Sequence, residues 1–257
     1  MARYLIARLA LSVPTLISVS VVAFVLTTAA RGDPALLALQ QDGYDPSPEL
    51  LQQYRAMLGL DAPMPVRYLR WLMGVARGDL GTSFISNRPV AEMLGERVLP
   101  TFALGVVALL LSITVGVGLG LLLALSRSSG VDLGTRVLVS FLAGIPSFWL
   151  AIGMILLFGA KLRLLPVAGY GDWQHFLMPA LALAVGPAAA TLRLTRNSVL
   201  DILAEDFVRT ARAKGLPWRA IGLRHVLRCA LLPILALSGI RFGHVLAGAV
   251  IIEPLFA

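Results

Sequence analysis

The sequence predicts an all-α polytopic membrane protein, a single helical bundle with five visible spans. Three observations carry that expectation. The chain is 58% hydrophobic and only 14% charged, with mean hydropathy +0.82, whereas soluble domains run at about 45–50% apolar and ~25% charged. Its apolar residues fall in five runs, 9–30, 99–126, 137–160, 173–192 and 229–252, the first four free of Asp, Glu, Lys and Arg and the fifth broken by Arg241 alone. Each meets the ~20 residues that a ~30 Å hydrocarbon core requires. The third observation is where the net charge of +8 lies. Residues 31–99 hold seven basic and eight acidic side chains, so they are near neutral. The surplus sits at Arg3, Arg8, Arg127, Arg136 and in 193–228, all on one side if the spans alternate. That is the positive-inside pattern, with a cytoplasmic N-terminus, and not a nucleic-acid footprint.

Taken in order, the first run follows Arg3 and Arg8 and ends in Thr28-Ala29-Ala30, which imitates a secretory signal. It is longer than the ~7–15 residues of a signal core, and four more spans follow, so an uncleaved first helix is expected. Residues 31–98 form an external insertion too long for a simple connection. Pro46, Pro48, Pro63 and Pro65 punctuate it. Between them, PSPELLQQYRAMLGL has helical apolar spacing with Ser47 as N-cap and Pro48 in the first turn. VRYLRWLMGVARGDLGTSF reads as a second short amphipathic helix, with Tyr68 and Trp71 suited to the membrane interface. This insertion is either a surface-lying cap or a dock for an external solute receptor.

In the second run, Gly116 and Gly120 have the GxxxG spacing that lets helix backbones approach closely. Pro146 within the third run predicts a kink. Residues 161–172 make a brief outer loop, and Gly186-Pro187 lies in the inner half of the fourth run. The segment 193–228 carries eight Lys or Arg against three acids. Val199, Ile202, Leu203 and Phe207 recur there at helical spacing, Gly215-Leu216-Pro217 breaks the pattern, and Trp218–Leu227 resumes it. A helix, a sharp turn and a second helix are expected, at a surface where a soluble partner docks.

The chemistry this chain lacks is equally informative. Its two lysines, Lys161 and Lys214, each follow alanine, so no Gly-Lys-Ser/Thr phosphate loop exists. No HExxH or GxSxG motif occurs. The single cysteine, Cys229, forms no internal disulfide framework, and no Cys/His cluster has zinc spacing. If transport is driven, the engine is a separate subunit or an ion gradient. Inside the spans, Arg241 and His244 lie three apart on one helix face, which points either to a translocation path or to a structural pairing between helices or subunits. Glu253 stands at the outer end of the same helix as a gate contact or an interfacial residue. His175 near the outer surface reads, like His244, as an interface residue more readily than a nickel ligand.

The core DFVRTARAKGL, followed by RHVLRCALLP, resembles the cytoplasmic coupling segment of the ABC importer permeases for dipeptides, oligopeptides and nickel. The opening 35 residues, LGLDAPMPVRYLRWL, RGDLGTSF and IPSFWLA also look like that family, so the resemblance covers nearly the whole chain. PSPELL, YGDWQH and AVIIE are similar to nickel permeases in particular. The general motif of such importers has Glu-Ala-Ala, three residues, then Gly. Here the register is Arg209-Thr210-Ala211 with Gly215, lacking the glutamate as the peptide and nickel branch does, and Cys229 replaces the branch's usual Asn.

The resemblance implies a type I importer permease bundle, with Asp206, Thr210, Ala211, Lys214 and Gly215 contacting an ATPase. It implies a second homologous permease, two ATPase subunits that bind the ATP and magnesium, a periplasmic solute-binding protein, and no cofactor in this chain. It also implies a sixth span beyond Ala257, so that the chain would be a fragment. The cargo stays open among dipeptide, oligopeptide and nickel complex. The alternatives are an ion-coupled carrier or channel, weakened by the scarcity of acids within the spans, and a non-conducting scaffold.

Overall fold

The computed structural model describes residues 2–29, 32–41, 47–83, 85–126, 129–169, 171–217 and 220–257. Expectations resting on Arg31, Pro46, Arg127, Tyr170, Trp218 and Arg219 lie outside them. The described chain is helical, with one isolated β-bridge between Thr82 and Pro89. It divides into two compact units, 1–97 and 98–257.

The first unit begins with α1 (Ala2–Ala29), which is apolar on every side and exposes Leu5, Leu9, Leu16 and Leu26. A helix without a polar face is suited to lipid rather than water. Its hydroxyls bond back to its own carbonyls, Ser18 Oγ donating to Pro14 O at 2.8 Å and Thr28 Oγ1 to Phe24 O at 2.7 Å. Such bonds keep polar atoms satisfied in hydrocarbon. The insertion then folds into α2 (Pro34–Gln41), α3 (Pro48–Met57) and α4 (Met64–Ala76). Ser47 is the N-cap of α3, its side chain accepting from Leu50 N at 3.3 Å, with Pro48 in the first turn. Asp33, just before α2, pairs with Arg55 of α3 at 2.7 Å.

Tyr68 and Trp71 of α4 pack on Phe24 of α1, with ring centroids 5.5 and 6.1 Å away. The Tyr68 and Ser20 hydroxyls are hydrogen-bonded at 2.8 Å. The interfacial aromatics therefore lay α4 against the C-terminal half of the first span. A cavity of about 960 Å³ between them is lined by Asp33, Arg55, Arg67 and Arg70.

At the end of this unit Arg88 bridges Glu92 and Glu96 in the first turns of α5 (Val90–Leu125). Hydrogen-bonded to Arg88, the Glu96 carboxyl is held below the ordinary carboxylate range. A lowered carboxylate pKa stabilises the fold at neutral pH and loses that contribution only as pH falls through the lowered range. Amide exchange over the first turns of α5 is expected to quicken in that acid window, and to lose this pH step in Glu96→Gln.

The second unit is organised around α8 (Trp173–Leu203), which contributes Met178, Ala182, Leu183, Leu192 and Val199 to the core. Against it pack α10 (Leu227–Phe256), α6 (Ser129–Gly144), α7 (Ser147–Met154) and α5. The α5–α8 seam depends on glycine. A Cβ on Gly116 would stand 2.6 Å from Thr191 Cβ and 2.9 Å from Ala188 O; on Gly120 it would stand 2.7 Å from Thr195 Cβ and 2.8 Å from Leu192 O. The GxxxG spacing is thus a place where two backbones approach too closely for a side chain between them. Farther along, Phe102 of α5 meets Phe242 of α10 edge-on at 5.5 Å.

The third apolar run is not one kinked helix. It breaks at Pro146, and the helical segments on either side, the second continuing through a π-helical stretch Ile155–Lys161, diverge by 95°. Pro146 is extended, with φ −58° and ψ 140°, and its carbonyl opens α7 by accepting from Trp149 N and Leu150 N. A proline contributes no N–H to the preceding helix and pushes the residue before it out of the helical region. Among the described residues four helices are each long and apolar enough to cross a membrane, and the bent pair makes a fifth if counted as one span.

Candidate functional site

Two places in the second unit bring charge-bearing side chains together: an elbow around Asp206–Lys214, and a cavity at the break before α7. Helix α8 does not stop at the expected end of the fourth span, residue 192, but runs on to Leu203. Charge moves a helix out of lipid without ending it, since its hydrogen bonds are local. The chain then turns at Ala204, and extended Glu205 (φ −69°, ψ 149°) accepts from Val208 N at 3.1 Å to start α9 (Asp206–Ala213). Glu205 and Asp206 at its start and Arg212 in its last turn complement the helix dipole.

Helix α9 ends in a Schellman motif, with Gly215 N donating to Arg212 O at 2.9 Å and Leu216 N to Ala211 O at 3.3 Å. That closure needs the left-handed backbone at Gly215, φ +74°. The chain re-enters a helical turn at Pro217, whose carbonyl accepts from Ala220 N and Ile221 N. It passes through a π-helical stretch, Ile221–Val226, into α10.

One face of α9 is buried. Val208 and Ala211 enter a cluster with Ala124, Val199, Ile221, Val226, Ala230 and Ile234. The opposite face presents Asp206, Arg209 and Thr210 to solvent, the first two ion-paired at 3.2 Å, with Phe207 and Leu216 about four-tenths exposed at its flanks. Of the five residues expected to meet an ATPase, Asp206, Thr210, Lys214 and Gly215 are exposed and Ala211 is buried against the chain itself. Ala211 and Val208 act as the latch of the elbow. The signal for Val208 was its three-residue spacing from Ala211 among charged neighbours.

Arg241 and His244 of α10 do share a cavity, of about 420 Å³. Its wall also includes Arg193 of α8 and Ser147, the first residue of α7. Arg241 Nε is buried with no hydrogen-bond partner, and His244 Nδ1 lies 3.3 Å from Ile240 O. Among the described residues no acid lines this cavity. Arg193 was legible only as the first charge after the fourth span. Its place on the same cavity as Arg241 depends on how α8 packs on α10.

Glu253 and His175 line a different, smaller cavity with Phe176 and Phe256. His175 Nδ1 and Glu253 Oε1 are both buried there without a partner. The two histidines considered for nickel are therefore in separate places. Among the described residues no three His, Cys, Asp or Glu side chains gather as a metal would require.

Comparison with known proteins gives two family matches: the binding-protein-dependent transport system inner membrane component over residues 116–257, and the N-terminal membrane component of such systems over residues 1–105. The glutathione transport system permease protein GsiC of Pectobacterium atrosepticum is 37% identical over 257 residues, covering 100% of this chain and 83% of that protein. Its counterparts in Salmonella paratyphi A and Escherichia coli O6:H1 are each 35% identical with the same coverage.

Proposed function

This chain belongs to the family of binding-protein-dependent transport system inner membrane components, the multi-pass permeases of ATP-driven importers, and on that premise we propose that it admits a peptide-class solute. Permeases of this family are not themselves enzymes and work with a separate ATPase and a solute-binding protein. Membership of the family favours the importer over the ion-coupled carrier and the scaffold. The similarity of the whole chain to glutathione permeases supports a peptide cargo over a nickel complex.

In the proposed assembly this chain pairs with a second permease, and two ATPase subunits hold the ATP and magnesium. The basic elbow and the N-terminus face the cytoplasm, and the insertion 31–98 faces the binding protein. The observation that carries the coupling reading is the exposed outer face of α9, Asp206, Thr210 and Lys214, backed by the buried latch Val208 and Ala211. An ATPase gripping that face moves α9 with α8 and α10 as one body. Transport then requires that docking differ in free energy between inward-open and outward-open states.

The test is capture of the partner ATPase by the purified permease pair. Gly215→Arg is an ambiguous probe: a Cβ there meets open space, yet the left-handed backbone penalises any L side chain by about 1–2 kcal/mol. Thr210→Trp is cleaner, since Thr210 is exposed and only its hydroxyl bonds inward, to Asp206 O at 3.0 Å. Thr210→Trp is expected to release the ATPase while inserting normally, whereas undiminished capture would remove α9 from the interface.

A further inference from the structure

We propose that the cavity at the break before α7 is an anion subsite of the transport path, taking a carboxylate of the cargo between Arg241, Arg193 and the N-terminal end of α7. The proposal rests on the importer reading and adds the charge class of its solute. Three independent features converge on it. Arg241 and Arg193 come from different helices, α10 and α8, and line the same wall. Helix α7 starts at Ser147 on that wall, so the positive end of its dipole lies at the cavity. His244 is a third basic group, and no Asp or Glu among the described residues lines the space.

Each feature has an ordinary use elsewhere. Together, with Arg241 inside the fifth span and Arg193 just past the end of the fourth, they gather positive charge on a lining that holds no acid among the described residues. Intramembrane arginine is rare, and it faces a partner or a watery path. Among the described residues the Nε of Arg241 is buried with no hydrogen-bond partner. A broken helix whose second half points its N-terminus into a cavity is also how membrane transporters present backbone N–H groups to anions. A guanidinium and a helix N-terminus match a planar carboxylate, which accepts several hydrogen bonds at once. Low-dielectric walls bearing one sign of charge concentrate counter-ions within them. A dipeptide or longer peptide carries such a carboxylate at its C-terminus, and a solute without an acidic group does not. About 420 Å³ accommodates one end of a peptide and not a large folded solute.

The experiment reads the cavity's charge directly and does not need the cargo to be known. In the assembled transporter, with Cys229→Ser removing the exposed native thiol, Ser147→Cys places one thiol on the cavity wall. Its labelling rates are measured with an anionic sulfonatoethyl and a cationic trimethylammonioethyl methanethiosulfonate, each normalised to a free thiol in solution. The anionic reagent is expected to be favoured by about tenfold. Arg241→Gln is expected to abolish most of that preference and Arg241→Lys to keep it. Millimolar succinate should slow labelling, and its uncharged diamide should not.

An anionic preference that Arg241→Gln leaves intact overturns the subsite. So does the absence of any preference, the result expected if a carboxylate of the second permease already neutralises Arg241, and so does failure of both reagents to enter. ATPase capture by each variant reports the fold. If capture fails in every form, including wild type, while the anionic preference persists, the importer reading falls and the subsite stands.

Discussion

Gly120→Val is expected to leave almost no folded, membrane-inserted protein, and Gly116→Val to do nearly the same. At both positions the first atom of a new side chain would fall under 3 Å from a backbone carbonyl oxygen of α8 as well as from a threonine Cβ. A flexible side chain can rotate away from such a clash, but a helix backbone cannot. The α5–α8 seam would have to open, and α8 is the helix on which α6, α7 and α10 also pack. Overpacking costs about 1–3 kcal/mol where a core can yield. Here, where it cannot, the loss exceeds that range. Gly118→Val is the internal control: it lies in the same helix, between the two, and a Cβ there meets nothing within 4 Å. Size-exclusion profiles of the three variants after mild detergent extraction separate close packing from helix propensity, and equal profiles would refute the seam.

Val208→Asp is expected to eliminate transport while the spans remain intact. Val208 is fully buried in the cluster that latches α9 to α8, the π-helical stretch and α10. An unpaired carboxylate there costs several kcal/mol, more than an eight-residue helix recovers by itself. The helix should therefore leave its seat and unwind, so that trypsin can take the backbone at Arg209 and Arg212, which are at the surface already. Faster cleavage at those residues, lost ATPase capture and unchanged membrane insertion are the expected signature. Val208→Ile, which keeps the site apolar, should behave nearly as wild type. If Val208→Asp couples normally, the elbow does not transmit force through its buried face.

The features that could be read in advance are local ones. The N-cap at Ser47, the helix stop at Gly215 and a disturbance at Pro146, expected as a kink and found as a break, each follow from the dihedral or hydrogen-bond preferences of one residue and its neighbours. The close approach at Gly116 and Gly120 follows from a spacing on one helix face. Of the residues expected on an ATPase-facing surface of α9, Asp206, Thr210 and Lys214 are exposed, while Ala211 is buried in the chain's own core. Eight residues contain too few turns to distinguish an inward from an outward face without knowing what lies beneath.

By itself the sequence determined that this is an apolar helical bundle with a basic elbow, without nucleotide chemistry of its own, in the family of importer permeases. Hydropathy, charge placement and motif are sums over neighbouring residues, so they survive without a fold. Only the tertiary structure decided that α8 continues eleven residues past the expected span, from 192 to Leu203. It alone decided that the third run turns by 95° and that Arg193 shares a wall with Arg241 and His244. Those facts depend on which faces of distant helices meet. That choice is made by packing α5, α6, α7 and α10 around one helix, and no single segment of the sequence contains it.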